Sequence, residues 1–317
     1  VMLGNLYRDR PHKKDDGYNI FYMGINVGAF FSPLVAASLR SLDQINGWHY
    51  AFAAAGVGMI FSLFIFLTFQ KYVRPGEQLP RRKNAPVQEG EIDLPPEQAK
   101  RRVIALVVIF AVVIFFWMAF HQNGLTLTYW ARDYTDTSLN PELFQSVNPL
   151  FILLFTPLVV GFWSVLRRKK MEPTTAAKMG IGMLLTAGCY LIMAFAAIVA
   201  ISQGKVSVAW LISAYAVITL GELMLSPMGL SVVSKLAPWK IRGMMMGGWF
   251  ASTAIGNYLS GLLGSFWDTL SHRDFFLILV ATSVFAALIL FALLRFLNPV
   301  IKEAEEEAQV QAAAAGD

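Results

Sequence analysis

The chain alternates between long apolar stretches and short polar ones. Crossing a bilayer as an α-helix takes roughly 20 mostly apolar residues. Eight stretches meet that length: Ile20–Leu39, Trp48–Phe69, Val103–Gln122, Val147–Leu166, Ala176–Ile201, Val206–Leu236, Met244–Trp267 and Phe275–Leu297. Gly and Pro recur inside them, as is common in membrane helices. The pattern predicts an all-α membrane protein with about eight transmembrane helices. A large soluble helical protein is the alternative, and eight runs of this length weigh against it. The stretch Gln70–Arg102 differs from the other polar segments: it carries Pro75, Pro80, Pro86, Pro95 and Pro96, charges of both signs and no apolar run. It is expected to be a linker. Residues 1–70 would then end one helical unit, 71–102 form the cytoplasmic linker, 103–298 a six-helix bundle and 299–317 a cytoplasmic tail. Six helices after a polar linker fit one half of a transporter built from two six-helix bundles. With Val1 at the start and the polar opening Asn5–Asp16, the chain is expected to be a piece whose first four helices lie upstream. The acidic, then alanine-rich, Glu303–Asp317 is expected to be a solvated helix or a frayed end.

Charge adds a side to each loop. Only 15% of residues are charged, against about 25% in soluble domains. Lys and Arg near helix ends favour the cytoplasm. Basic-rich segments (Arg8 to Lys14, Lys71 to Arg102, Arg167 to Lys170, Lys235 to Arg242, Arg295 with Lys302) alternate with loops holding Arg40, Arg132, Lys205 or Arg273 alone. Both ends of the chain are therefore placed in the cytoplasm. The net charge of +5 does not indicate nucleic acid, because the cations lie between apolar runs rather than along a stripe. The single Cys189 excludes an intramolecular disulfide and a multi-cysteine metal site. No phosphate-binding loop and no catalytic constellation is present, so neither an enzyme nor a cofactor or metal is expected.

A few polar side chains inside the spans can carry chemistry. An acidic residue in hydrocarbon is costly, roughly 2.5–3.5 kcal/mol at a helix centre. Glu222 is the one acid well inside an apolar run. Hydrocarbon favours its neutral form, so it can take up and release a proton, or as an anion hold a substrate ammonium; a structural carboxyl paired with a polar neighbour is the plain alternative. Ser226 follows one turn on along the same face. Pro227 permits a bend there, whether a moving gate or a static kink. His121 is the one histidine inside a span and shares a face with Trp117, Phe120 and Gly124. Histidine titrates near neutral pH, so His121 is a candidate for proton coupling or a satisfied interfacial histidine. Tyr22 and Asn26 share a face and can bind peptide carbonyls and amides or simply bond between helices. Asn148 can open a helix toward a cavity or cap it. Gly243 with Gly247, and Gly256, Ser260 and Gly264, recur at four-residue spacing and predict close helix packing. Trp249 between them lines a pocket or faces lipid.

The segment Gly17-Tyr18-Asn19-Ile20-Phe21-Tyr22-Met23-Gly24-Ile25-Asn26-Val27-Gly28 resembles the fifth-helix signature F-Y-x-x-I-N-x-G of the proton-dependent oligopeptide transporters. Phe116-Trp117 with Gln122 and Gly124 resembles the family's seventh helix. Glu222-Leu223, Ser226-Pro227 and Gly229-Leu230-Ser231 resemble its tenth, and Gly248-Trp249-Phe250 with Gly256-Asn257 its eleventh. The resemblance covers essentially the whole chain and implies a major facilitator fold, with this chain as helices 5–12 of a twelve-helix parent. It implies proton-coupled symport of di- and tripeptides by alternating access across a bacterial cytoplasmic membrane, by a monomer. Another solute on the same fold, such as nitrate or an amino acid, and a non-transporting receptor are the alternatives. By matching position, Tyr22, Asn26, Trp117, Asn148, Glu222, Ser226 and Trp249 are implied to line the peptide site, with Glu222 near the peptide amino group. Glu222 and His121 are the proton-coupling candidates. Many bacterial members carry a seventh-helix carboxylate where this chain has His121. Many also insert two helices in the central linker, where this chain has no apolar run. The family's first-helix E-x-x-E-R-F segment and its fourth-helix lysine do not occur here, so residues 1–317 alone are expected not to transport.

Overall fold

The computed structural model describes residues 6, 14–43, 45–74 and 94–314. Most of the expected linker and of the opening polar stretch lies outside them. Nine α-helices occur among the described residues: α1 (Lys14–Arg40), α2 (Gly47–Val73), α3 (Pro96–Phe120), α4 (Thr126–Asp133), α5 (Val147–Arg168), α6 (Thr175–Gln203), α7 (Val208–Leu236), α8 (Arg242–Gly264) and α9 (His272–Ala314). Seven helical segments are long and apolar enough to cross a membrane, with α3 and α4 counted as one span, Pro96–Asp133. The eighth expected span is α8. It forms a helix of 23 residues, but its glycines with Ser252, Thr253, Asn257 and Ser260 keep it outside that set.

The described residues fall into two compact units, one within Val1–Pro86 and Leu139–Leu153, the other within Val87–Ser138 and Leu154–Asp317. In the first, α1 packs against α2 and against a 3-10 turn, Pro141–Ser146. The Ser146 hydroxyl donates to the Phe30 carbonyl at 2.7 Å. Arg40 pairs with Glu142 and lies 4.7 Å over the Trp48 ring. The turn from α1 into α2 is built on Asp43, whose carboxylate accepts from the amides of Ile45 and Asn46 at 2.8 and 3.0 Å. Those bonds, Asn46 first, hold its carboxyl below the usual carboxylate range. Gly47 is required where α2 begins, because a Cβ there would collide with the Arg40 carbonyl. Beyond this turn α2 shows apolar side chains on all sides, the pattern of a helix meant for an apolar surround.

In the second unit α6 packs on α7 and α9, and α3 packs on α8 and α9. Glycine sets the closest approach between α6 and α7: a Cβ on Gly182 or Gly221 would lie 2.7 Å from the other's carbonyl oxygen. Between α3 and α8 the contact runs along Gly248, Ser252, Gly256, Ser260 and Gly264. Cβ atoms would meet Phe110 at 248, Ile114 and Trp117 at 256, and Leu125 at 264, and Ser252 and Ser260 are buried. The expected stripe was right in spacing and partly wrong in register. Gly243 and Gly247 have nothing near enough to meet a Cβ, because they lie on α8 one residue off the line that continues Gly256 backwards.

The loops assigned to one side by charge touch their own kind. Arg102 near the start of α3 pairs with Glu307 at 2.6 Å, and Gln98 donates to Glu303 and Glu307. The tail is thus a continuation of α9 that packs on α3. On the other side, Thr135–Asp136 pairs in parallel with Val206–Ser207, while His272 lies against Trp130, Tyr134 and Trp267. The α5–α6 connection closes around Glu172, which accepts from Arg167 at 2.7 Å and from Lys178 at 2.5 Å. Lys178 is buried over the Trp163 ring.

Two tests follow from this packing. Gly256→Ala is expected to cost about 1–3 kcal/mol, the usual range for overpacking, whereas Gly261→Ala, in open space on the same helix, should leave the melting temperature in detergent unchanged. The Arg167 hydrogen bond, with Lys178 in support, lowers the Glu172 carboxyl from 4.5 to about 2. A depressed acid stabilises the fold above its unfolded value and loses that contribution as pH falls through the folded one. Glu172→Gln should therefore lower the melting temperature at neutral pH and flatten its dependence on pH between 4.5 and about 2.

Candidate functional site

Of the residues singled out in the sequence, Tyr22, Asn26 and Asn148 belong to the first unit, and Trp117, His121, Glu222, Ser226 and Trp249 to the second. In the first unit Asn26 is buried and donates to the Tyr22 carbonyl one turn back at 2.9 Å. Asn148 is buried in the first turn of α5, following the Pro141–Ser146 turn rather than preceding the helix.

In the second unit the aromatic residues form one cluster. Trp117 stacks on His121 with ring centroids 5.6 Å apart and planes at 26°. Trp249 from α8 meets Trp117 edge-on at 6.4 Å and Phe110 at 6.4 Å. The far end of the Trp249 indole fills the place a side chain would take at Gly229, where a Cβ would collide with it. Trp249 is buried, so the lipid-facing alternative does not apply. Glu222, Ser226 and Gly229 are spaced i, i+4 and i+7 and share one face of α7. The α7 face that bears Glu222 and Ser226 is thus the one that leads to Trp249. Glu222 is 8% exposed, and Pro227 lies within the same helix.

Three polar atoms of this cluster are buried without a hydrogen-bond partner among the described residues: Trp117 Nε1, His121 Nε2 and Ser226 Oγ. Buried polar groups are normally satisfied. An indole N–H can only donate, an imidazole nitrogen donates or accepts, and a hydroxyl does both. The arrangement suits a polar ligand or water that offers acceptors to a wall also holding a carboxyl group.

Gln122, which carries part of the seventh-helix resemblance, and two tyrosines that no sequence motif marks define the geometry around His121. Span Pro96–Asp133 is broken: α3 stops at Phe120, and His121–Gly124 forms a 3-10 turn before α4. Gln122, fully buried, donates to the Ser260 carbonyl at 2.8 Å and accepts from Thr126 at 2.9 Å. The Tyr190 hydroxyl donates to the Ala119 carbonyl at 2.6 Å, and that of Tyr215 to the Asn123 carbonyl at 3.0 Å. Nothing in the local sequence marks these tyrosines, since an aromatic residue in an apolar run reads as core filling. The signal that was available is His121-Gln122-Asn123-Gly124, four residues poor in apolar character near the end of a long span.

The sequence profile of the POT family (PTR2) matches residues 1–87 and 95–285. The peptide transporter YePEPT of Yersinia enterocolitica is 30% identical over 83% of this chain and 64% of its own length. The uncharacterized transporter YclF of Bacillus subtilis is 30% identical over 96% of this chain and 70% of its own. The chain thus spans about two thirds of the length of these relatives. The Bacillus alignment runs over 359 positions, more than the 317 residues present here, so that relative has segments inside the matched region that this chain lacks. Among solved structures, a peptide transporter POT in complex with alafosfalin superimposes with a TM-score of 0.75 at 26% identity, over 94% of this chain and 71% of that one. The fold is therefore of the major facilitator type, and the chain is part of a multi-pass protein of the bacterial cytoplasmic membrane. On the match of most of its length to one profile, agreeing with the helices and their order, the chain belongs to the POT family.

Proposed function

We propose that the protein to which this chain contributes its spans is a proton-coupled importer of di- and tripeptides that works by alternating access. The observation that carries this reading lies on α3, α7 and α8: Trp117 stacks on His121 and meets Trp249, and Trp249 packs at Gly229, on the α7 face that also bears Ser226 and the buried Glu222. A peptide presents an ammonium for a carboxylate and carbonyl acceptors for an indole N–H and a hydroxyl, so one zwitterionic substrate answers both kinds of group. Glu222 holds the amino end and is a proton-coupling group; Trp117, Ser226 and Trp249 contact the body of the peptide, and the family resemblance adds Tyr22, Asn26 and Asn148 as peptide-binding residues. His121 takes the proton role that a seventh-helix carboxylate plays in relatives. Residues 1–70 end one bundle, 103–298 form the other, the parent has twelve helices and acts as a monomer, and no enzymatic step takes part. The relatives named as a peptide transporter, and the solved peptide transporter with its bound ligand, support the substrate class.

The test is uptake of labelled dialanine by proteoliposomes holding the whole protein, under an inward proton gradient and an inside-negative potential. Concentrative uptake that collapses with a protonophore and is competed by unlabelled dipeptides is expected. No uptake from folded protein would rule out dialanine and move the reading to another solute. Glu222→Gln is expected to lower the concentrative rate about tenfold or more, which matches the loss of one hydrogen bond to a charged group, about 1.5–3 kcal/mol.

A further inference from the structure

The break between α3 and α4 is held from three neighbouring helices, and each hold is a single side chain. Tyr190 of α6 binds the Ala119 carbonyl, two residues before His121. Tyr215 of α7 binds the Asn123 carbonyl, two residues after it. Gln122 reaches the backbone of α8 at Ser260. Both tyrosines are fully buried, as are Gln122 and Thr126. Backbone that leaves α-geometry inside a membrane needs new partners within the protein, and the two carbonyls that flank His121 accept from these hydroxyls, that of Ala119 together with the His121 N–H. The imidazole of His121 meanwhile has a buried Nε2 with no partner among the described residues and a stacked indole as its neighbour. A side chain at the junction of an α-helix and a tighter turn points wherever those two carbonyls fix the backbone.

We propose that Tyr190 and Tyr215 are positioning residues for His121, and that their hydroxyls set the orientation in which its imidazole binds a proton. A carbonyl engaged by an O–H presents less of its negative end to the ring; a carbonyl released from it presents more and lets the turn shift. The titratable groups that the packed elements bring to this level are Cys189 and Tyr190 on α6 and Tyr215 and Glu222 on α7. Among the described residues, the buried faces of α8 and α9 bring none here, His272 lying at the outer end against Trp130, Tyr134 and Trp267. For transport this inference rests on the reading above, in which His121 carries the proton. Its test does not.

The stack of Trp117 on His121 supplies the readout, because a protonated imidazole quenches a neighbouring indole more strongly than a neutral one. Tryptophan emission of the whole protein in detergent, titrated with acid without substrate, is expected to show a step that His121→Ala and Trp117→Phe each remove. Tyr190→Phe keeps the ring, including its stacking on Phe276, and removes only the hydroxyl; Tyr215→Phe does the same at the other carbonyl. Each should displace the midpoint of the step by about half a pH unit or more, on the scale of modest environmental shifts. Thr126→Val disturbs the same turn through Gln122 but touches neither carbonyl, and should leave the midpoint in place. A step whose midpoint is the same in both tyrosine variants would overturn the proposal. So would a native protein with no His121-dependent step, or a Thr126→Val variant that shifts as far as the tyrosine variants do. Peptide uptake can fail without moving any of these results.

Discussion

A backbone carbonyl released from a helix inside a bilayer has no water to turn to. The second unit is arranged around that constraint. Span Pro96–Asp133 gives up α-geometry over four residues, and every neighbouring helix but α9 sends a group to the place where it does: a hydroxyl from α6, another from α7, a carbonyl from α8 that takes the Gln122 amide. The close approach of α3 to α8 along small residues is what allows Gln122 to reach Ser260 at all, and the glycine contact of α6 with α7 carries their two tyrosines as a pair. Packing and polar satisfaction here are one problem solved together.

The same arrangement accounts for where chemistry can occur. A break costs regular hydrogen bonds, and in return it frees His121 from the regular side-chain directions of a helix. It lies next to Trp117, and Trp117 next to Trp249, whose indole occupies the space left by Gly229. The carboxyl of Glu222 sits on the same α7 face two turns before that glycine. The polar atoms on Trp117, His121 and Ser226 that have no partner among the described residues belong to this cluster.

Much of this was legible in the sequence. Each of the eight apolar runs falls on a helix, seven of them in segments long and apolar enough to cross a membrane, and the loop charges sort the ends that touch, as Gln98 and Arg102 do with Glu303 and Glu307. Glu222, His121 and Trp117 stand out because a polar or titratable group in an apolar run must have a reason. Tyr190 and Tyr215 could not be singled out, since their role depends on a carbonyl that only the fold frees and only the fold brings near. Gly247 and Gly248 show the other limit: period alone cannot choose between two registers one residue apart, and the choice falls to the shape of Phe110 and Trp117 on the facing helix.

The bond of Arg102 and Gln98 to the acidic extension of α9 joins the opening helix of the second unit to its closing one. The first turns of α3 and the extension of α9 are therefore held to each other by side chains as well as by packing. A pull applied at Pro96 is shared by α9, and the load reaches α6 and α7 through α9 instead of peeling α3 away. Loss of the acidic extension would then loosen α3 as well as α9, although the paired residues are 205 to 209 positions apart in the chain.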